Sequence, residues 1–190
     1  MIKKLTLIIG FIICLSSCGK DYGYRIEGEL SNLEDQTVYA VFEKDNYKVV
    51  DTVACTKPGQ FQIDQNEAGF HCVTIFFADK EHWVTAYLEP GETVKITGDA
   101  NSPLLLQVKG GRTNDKLAAF KKKIAPLLTE LTNLSNSLNS KDLNDTIEET
   151  DIAARLANVN MQLSEEAIRY VKENPNEEAS VVLIQSFFSD

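Results

Sequence analysis

In the stretch Leu104-Leu105-Leu106-Gln107-Val108-Lys109-Gly110-Gly111-Arg112-Thr113-Asn114-Asp115-Lys116-Leu117 the hydrophobic period of the chain changes. Up to Val108 apolar residues recur in short, strand-like runs. After Gly111 they recur at steps of three and four. Adjacent glycines interrupt either pattern and mark the boundary. Thr113 or Asn114 can cap a helix beginning there, its side-chain oxygen accepting a backbone N–H of the first turn. Leu117, Phe120, Ile124, Leu127, Leu131, Leu134 and Leu138 then form a heptad seam, one stripe along one helix. Pro126 lies inside the seam and predicts a kink or a break near Ala125, because it lacks an N–H and crowds the preceding turn. The polar run Ser135–Asp145 reads as a turn. A second helix carries Ile152, Leu156, Val159, Leu163, Ala167 and Tyr170 on one face and should stop before Asn174-Pro175. Two such stripes bury each other best as an antiparallel hairpin. Asn176–Asp190 opens a third, short helical segment that ends in mid-pattern, and we expect a truncation there ahead of a further domain.

Working back towards the amino terminus, strand runs are separated by turn residues. They are Tyr22–Leu30, Thr37–Phe42, Tyr47–Cys55, Gln60–Gln65, Phe70–Ala78, His82–Leu88, Thr93–Thr97 and Leu104–Val108. Lys57-Pro58-Gly59 and Pro90-Gly91 are turn signals, since proline presets one φ and glycine tolerates a positive one. Short strands at this spacing predict an antiparallel β-sandwich or barrel. The expected class is therefore α+β: a β domain over residues 18–110, then a helical region over 111–190 made of a hairpin and a third short helix.

The first 17 residues read differently. Lys3 and Lys4 precede an apolar run from Leu5 to Leu15, the layout of a secretory signal peptide. That run is about half of the roughly 20 residues needed to span a bilayer. Leu15-Ser16-Ser17-Cys18 resembles the lipobox of bacterial lipoproteins. The resemblance implies cleavage before Cys18, acylation of Cys18, and a protein tethered in the cell envelope, facing the periplasm. Several acyl chains together anchor a soluble domain stably.

The formal net charge is −9, and loss of Lys3 and Lys4 with the leader takes it to about −11. Such a surface excludes a nucleic-acid partner, which needs a basic patch or stripe. The one basic run, Lys121-Lys122-Lys123, reads as a solvated helix face. With Cys14 in the leader and Cys18 lipidated, Cys55 and Cys72 remain. An oxidising compartment permits a Cys55–Cys72 disulfide, and a buried free thiol suits either position equally. Their spacing fits neither a Cys-x-x-Cys redox motif nor a zinc cluster.

The β half carries a further pattern. Tyr24-Arg25-Ile26-Glu27-Gly28, Val38-Tyr39, Val50-Asp51-Thr52-Val53, Gly59-Gln60-Phe61, Leu88-Glu89-Pro90-Gly91-Glu92-Thr93-Val94 and Ile96-Thr97-Gly98-Asp99 occur in that order. This resembles the N-terminal domain of unknown function that precedes thioredoxin-like domains in envelope lipoproteins of Gram-negative bacteria. The resemblance covers about Tyr22–Gly111, more loosely the helices, where Asn174-Pro175 matches. It implies a β-rich domain and helical linker that carry a C-terminal thiol:disulfide oxidoreductase domain with a Trp-Cys-x-x-Cys site. That domain is absent from the chain: the single Trp, Trp83, precedes Val84, and no Cys-x-x-Cys occurs.

Residues with chemical potential are sparse. His71 and Cys72 are neighbours, so in a strand they face opposite ways. A Cys72–His82 nucleophilic pair would also need an orienting acid. Asp79, Glu81, Glu89 and Glu92 lie near two turns without the spacing of a calcium loop. Among the aromatics, Trp83 and Tyr87 are the candidate ligand contacts, with Phe76 and Phe77 on opposite faces. The expectation is a lipid-anchored accessory module, non-catalytic and without metal or cofactor, that positions a thioredoxin-like domain or redox partner. The alternative is a stand-alone glycan- or peptide-binding lipoprotein.

Overall fold

The computed structural model describes residues 23–188, apart from 35, 45–46, 67–68, 70, 78–80 and 141–145. Eight strands come first: β1 (Tyr24–Ser31), β2 (Thr37–Lys44), β3 (Tyr47–Ala54), β4 (Gln60–Gln65), β5 (His71–Phe76), β6 (Trp83–Leu88), β7 (Thr93–Asp99) and β8 (Gln107–Lys109). Three helices follow: α1 (Arg112–Ser140), α2 (Thr146–Glu173) and α3 (Glu178–Phe188). The strands form two four-stranded sheets, in the orders β4-β1-β7-β8 and β3-β2-β5-β6. This is the sandwich, not the barrel, of an α+β chain.

One pair departs from the antiparallel expectation. β7 runs parallel to β1, from Arg25 opposite Thr93 to Ser31 opposite Asp99. β4 already occupies one edge of β1, so the chain returning from the other sheet must enter beside the remaining edge. It does so pinned at β1's start, where Gly91 donates to the Gly23 carbonyl at 2.8 Å and Arg25 to that of Glu92 at 3.0 Å. Leu104–Val108 also departs from a single strand, since Pro103–Leu105 form a 3-10 turn before β8.

Alternation along each strand builds the first core. Tyr24, Ile26, Gly28 and Leu30 of β1 point inward, as do Val73 and Ile75 of β5 and Val84, Ala86 and Leu88 of β6. Each large aliphatic side chain taken fully out of water contributes about 1.5–3 kcal/mol. Gly28 is needed there: a Cβ on it would lie 2.1 Å from the ring of Phe61. At the boundary with the helices, Gly110 and Gly111 take φ of 101° and 78°. A Cβ on Gly110 would stand 2.1 Å from the Thr93 carbonyl oxygen, so neither the backbone twist nor the space admits another residue.

The helices form a second core from Phe120, Ile124, Leu128, Leu134, Ile152, Val159, Leu163, Ala167 and Leu183. The remaining seam leucines, Leu117, Leu127, Leu131 and Leu138, pack against it half-buried. Two readings are revised here. Of the kink or break expected near Ala125, there is no break: α1 runs through Pro126, which sits on the exposed face. There the carbonyl that loses its N–H partner belongs to exposed Lys122, where water can serve it. Nor does the turn begin at Ser135, because α1 continues to Ser140, its half-buried Leu138 still on the seam. α3 folds back onto the hairpin through Ala179, Ser180, Val182 and Leu183, while Val181, Ile184 and Phe188 stay exposed.

Glu177 ties the three helices together. It accepts from the Tyr170 hydroxyl at 2.9 Å and pairs with Lys116 of α1 at 2.8 Å. Thr113 of α1 donates to Glu178 at 2.9 Å. The hydrogen bond from Lys116, then that from Tyr170, holds the Glu177 carboxyl below its ordinary range. A lowered carboxylate contributes stability that is complete above its unfolded pKa and is lost as pH falls through the folded one. Glu177→Gln should therefore flatten the acid side of the melting-temperature profile below about the ordinary carboxylate pKa of 4.3. Parallel wild-type and variant profiles there would refute the assignment.

Candidate docking groove

β6 and β8 are the outer strands at the same side of the sandwich, and α1 packs against both. Between β6, the Pro103–Leu105 turn, α1 and α3 lies a groove of about 520 Å³. Its walls are mainly apolar: Leu104, Val108, Leu117, Ile124, Leu128, Val182 and Phe187, with Trp83 at the lip.

Asn114 closes one end of this arrangement. It is 1% exposed. Its Oδ1 accepts the Tyr87 N–H at 3.0 Å, and its Nδ2 donates to the carbonyls of Tyr87 and of Gly110. The carboxamide thus does for the β6 edge what the peptide group of a neighbouring strand would do. It does not cap α1, and neither does Thr113, because the helix already starts at Arg112. Asp115 Oδ1 instead accepts the Gly110 N–H at 2.9 Å, and the Thr113 N–H faces Glu89 Oε1 at 3.5 Å. Glu89, Glu92 and Asp115 gather near this helix start, where acidic groups are favoured. Burial, then the charges of Glu89 and Asp115, raises the pKa of Glu92.

The bonding pattern of β6 follows from a second contact. Phe77 donates to the His82 carbonyl at 2.9 Å, and the register pairs Ile75 with Val84 and Phe76 with Trp83. In an antiparallel ladder, bonded and non-bonded pairs alternate. Even-numbered residues of β6 therefore bond to β5, while Trp83, Thr85 and Tyr87 turn their N–H and C=O away from it. Tyr87 meets Asn114. Trp83 and Thr85 border the groove.

Of the two candidate ligand contacts, Trp83 is 54% exposed and lies beside Phe76, ring centroids 6.0 Å apart. Tyr87 is half-buried at the other end of β6. Burial, then the Cys72 charge, pushes its phenol up to about 12. Cys18 lies outside the described residues.

The Cys55–Cys72 bridge is not formed: both are free thiols. Cys55 donates its N–H to Gln36 just ahead of β2 and packs on the core face. Cys72 precedes buried Val73, so it faces the other side of the sheet, and Val73 pairs with Phe42 near the far end of β2. The roughly seven intervening residues, at ~3.3 Å each, separate them by ~20 Å. A disulfide needs Cα atoms within about 7 Å. Burial is the first cause raising both thiols above the ordinary range, which lowers the thiolate fraction that would react.

Other candidates are dispersed. His71 lies tilted against Tyr24, ring centroids 5.6 Å apart, at the opposite end of the β5–β6 hairpin from His82. Glu81 and Glu89 lie at opposite ends of β6, and Asp79 is outside the described residues. Among the described residues no three His, Cys, Asp or Glu side chains converge as a metal site.

Three groove residues escape the sequence reading. Asn114 reads as a cap. Lys121 reads as part of a solvated face, yet its Nζ donates to the Leu106 carbonyl at 2.9 Å and its pKa is lowered by burial. The signal was its position, four after Leu117 and three before Ile124. Lys122 and Lys123 are exposed as expected. Nothing local marks Thr85.

Residues 24–117 match the family described as a domain of unknown function, DUF4369. That segment is a domain of this family. The matched segment spans the whole sandwich and the first helical residues, so Asn114 lies within the DUF4369 domain and most of α1 beyond it. Neither a curated protein nor a solved structure matches the chain. No helix among the described residues is long and apolar enough to cross a membrane.

Asn114→Ala should lower stability by about 2–4 kcal/mol, since an unpaired buried polar group costs about 1–3 kcal/mol and three main-chain groups, the N–H and C=O of Tyr87 and the C=O of Gly110, lose their partner. Urea unfolding measures the loss, and amide exchange should speed up at Tyr87 before any other residue of β6. Unchanged protection at Tyr87 would show that the carboxamide does not hold the edge.

Proposed function

We propose that this DUF4369 chain is a non-catalytic docking module of the bacterial envelope, tethered by lipid at Cys18, that positions a thioredoxin-like thiol:disulfide oxidoreductase domain. The groove carries this reading. It is an apolar concavity at the junction of the two cores, with an exposed tryptophan at its lip. Such a surface suits contact with another polypeptide better than chemistry. The dispersed histidines and carboxylates and the raised thiols agree with a binding role. The same groove serves the alternative, a stand-alone peptide-binding lipoprotein, and its mostly apolar walls favour peptide over glycan.

Two measurements on the full chain in its native envelope test the proposal. Cys18→Ser should abolish labelling by an alkyne-tagged fatty acid and move the protein from the membrane pellet to the soluble fraction. A photo-crosslinking amino acid in place of Trp83 should capture a polypeptide bearing a Trp-Cys-x-x-Cys site, whereas one in place of Glu29, on an exposed strand position of the sandwich, should not. Fatty-acid labelling that survives the substitution refutes the anchor. Crosslinks at 83 that never include a thioredoxin-like polypeptide refute the positioning role.

A further inference from the structure

We propose that the Trp83–Thr85 edge of β6 binds an extended polypeptide segment by strand addition, seating an apolar side chain of that segment in the groove. This rests on the docking reading above and supplies its recognition chemistry. Two independent observations point to it.

The first is the direction of the main chain. The β5–β6 ladder turns the N–H and C=O of Trp83 and Thr85 outward, and both residues border the groove. Among the described residues no hydrogen bond reaches these main-chain groups. A pair of donors and acceptors at strand spacing beside an apolar trough is the arrangement used in strand addition, where main-chain bonds give affinity and alternate side-chain pockets give specificity. An acyl chain has no use for such groups, and a sugar does not match their spacing.

The second is the contrast with the other three sheet edges. Exposed edges are ordinarily blunted by charge, proline or cover. β3 carries Lys48 and Asp51, β4 carries Asp64, and β8 carries Lys109. β6 (Trp-Val-Thr-Ala-Tyr-Leu) carries no charge and no proline. Among the described residues, its outward main-chain groups find a partner at Tyr87 alone, in Asn114.

The geometry sets the length and polarity of the occupant. Asn114 takes the Tyr87 position, so the added strand is short, engaging Trp83 and Thr85 alone. Its inward side chain, level with Val84, enters between Leu104, Val108 and Leu117. Lys121, whose Nζ serves one carbonyl, keeps N–H groups for an acceptor on the occupant. The partner is an uncharged β-forming segment with apolar residues at every second position.

The test uses the chain from residue 19 onward, which contains both cores, and a fluorescent octapeptide alternating valine with threonine between terminal lysines. Anisotropy should show saturable binding, and hydrogen exchange should slow at the Trp83 and Thr85 amides. Two N-methylated versions of the peptide, one methylated at the valines and one at the threonines, should differ at least fivefold in affinity, because only one alternate set of amides faces β6. Thr85→Ala should bind within twofold of wild type and Thr85→Pro at least tenfold more weakly, since only proline removes the N–H. If Thr85→Pro does not fold, the methylated pair decides alone. Equal affinity of the two methylated peptides, or no binding of the parent peptide, overturns the proposal. So does protection of the same amides by phosphatidylethanolamine–phosphatidylglycerol vesicles without peptide, which would assign the groove to lipid. Concentration-dependent protection with dimerisation in the ultracentrifuge would assign the edge to a second copy and also overturn it. Peptide binding without a thioredoxin-like crosslink at position 83 would refute the positioning role and leave the strand addition standing. The reverse result would do the opposite.

Discussion

The carboxamide of Asn114 is the point through which the two halves of this molecule are joined. It satisfies both main-chain groups of Tyr87 at the sandwich edge and the carbonyl of Gly110 in the turn that launches α1. All of this happens at a residue that is almost completely buried, where each unmade bond would carry its full desolvation cost. The two glycines before it make the contact possible, because their left-handed backbone turns the chain from β8 into α1 within two residues. Asn114 thus fixes the start of α1 against the sandwich edge, and Lys121, two turns further along, adds a second polar tie to the Leu106 carbonyl.

That joint leaves a gap beyond it. Asn114 covers β6 at Tyr87, but α1 then continues along the mouth of the sandwich and α3 approaches from the other side. The groove is what remains between elements whose apolar faces are already committed to their own cores. α3 shows how finely the commitment is divided. Val182 and Leu183 turn into the hairpin, and Val181, Ile184 and Phe188, on the opposite face of the same short helix, do not.

Polar chemistry in the domain is consistently used for joining elements. Glu177 gathers Lys116 and Tyr170, Thr113 reaches Glu178, and Lys121 spends one donor on the Leu106 carbonyl. Tyr170, its phenol pushed up to about 12 by burial and then by Glu177, stays a donor across the physiological range. These contacts hold the groove walls in place and explain why a site with few reactive groups can still be well shaped.

Periodicity alone determined the element order: seven of the eight strand runs, the change at Gly110-Gly111, both helical stripes and the stop before Asn174-Pro175 are local patterns, written into the spacing of apolar residues. The family was legible for the same reason, since its motifs are short and contiguous. What only the tertiary structure decided involves residues brought together from distant elements. The parallel β1–β7 pair depends on which edge of β1 was still open when the chain returned. Pro126 is tolerated in α1 because its face is solvated, a fact of packing rather than of spacing. The separation of Cys55 from Cys72 depends on sheet order and strand face, neither of which spacing reveals. Asn114, Lys121 and Thr85 looked like a cap, a solvated charge and a filler because their roles lie in main-chain groups of other elements, and hydrogen bonding to a distant backbone leaves no periodic trace in a sequence.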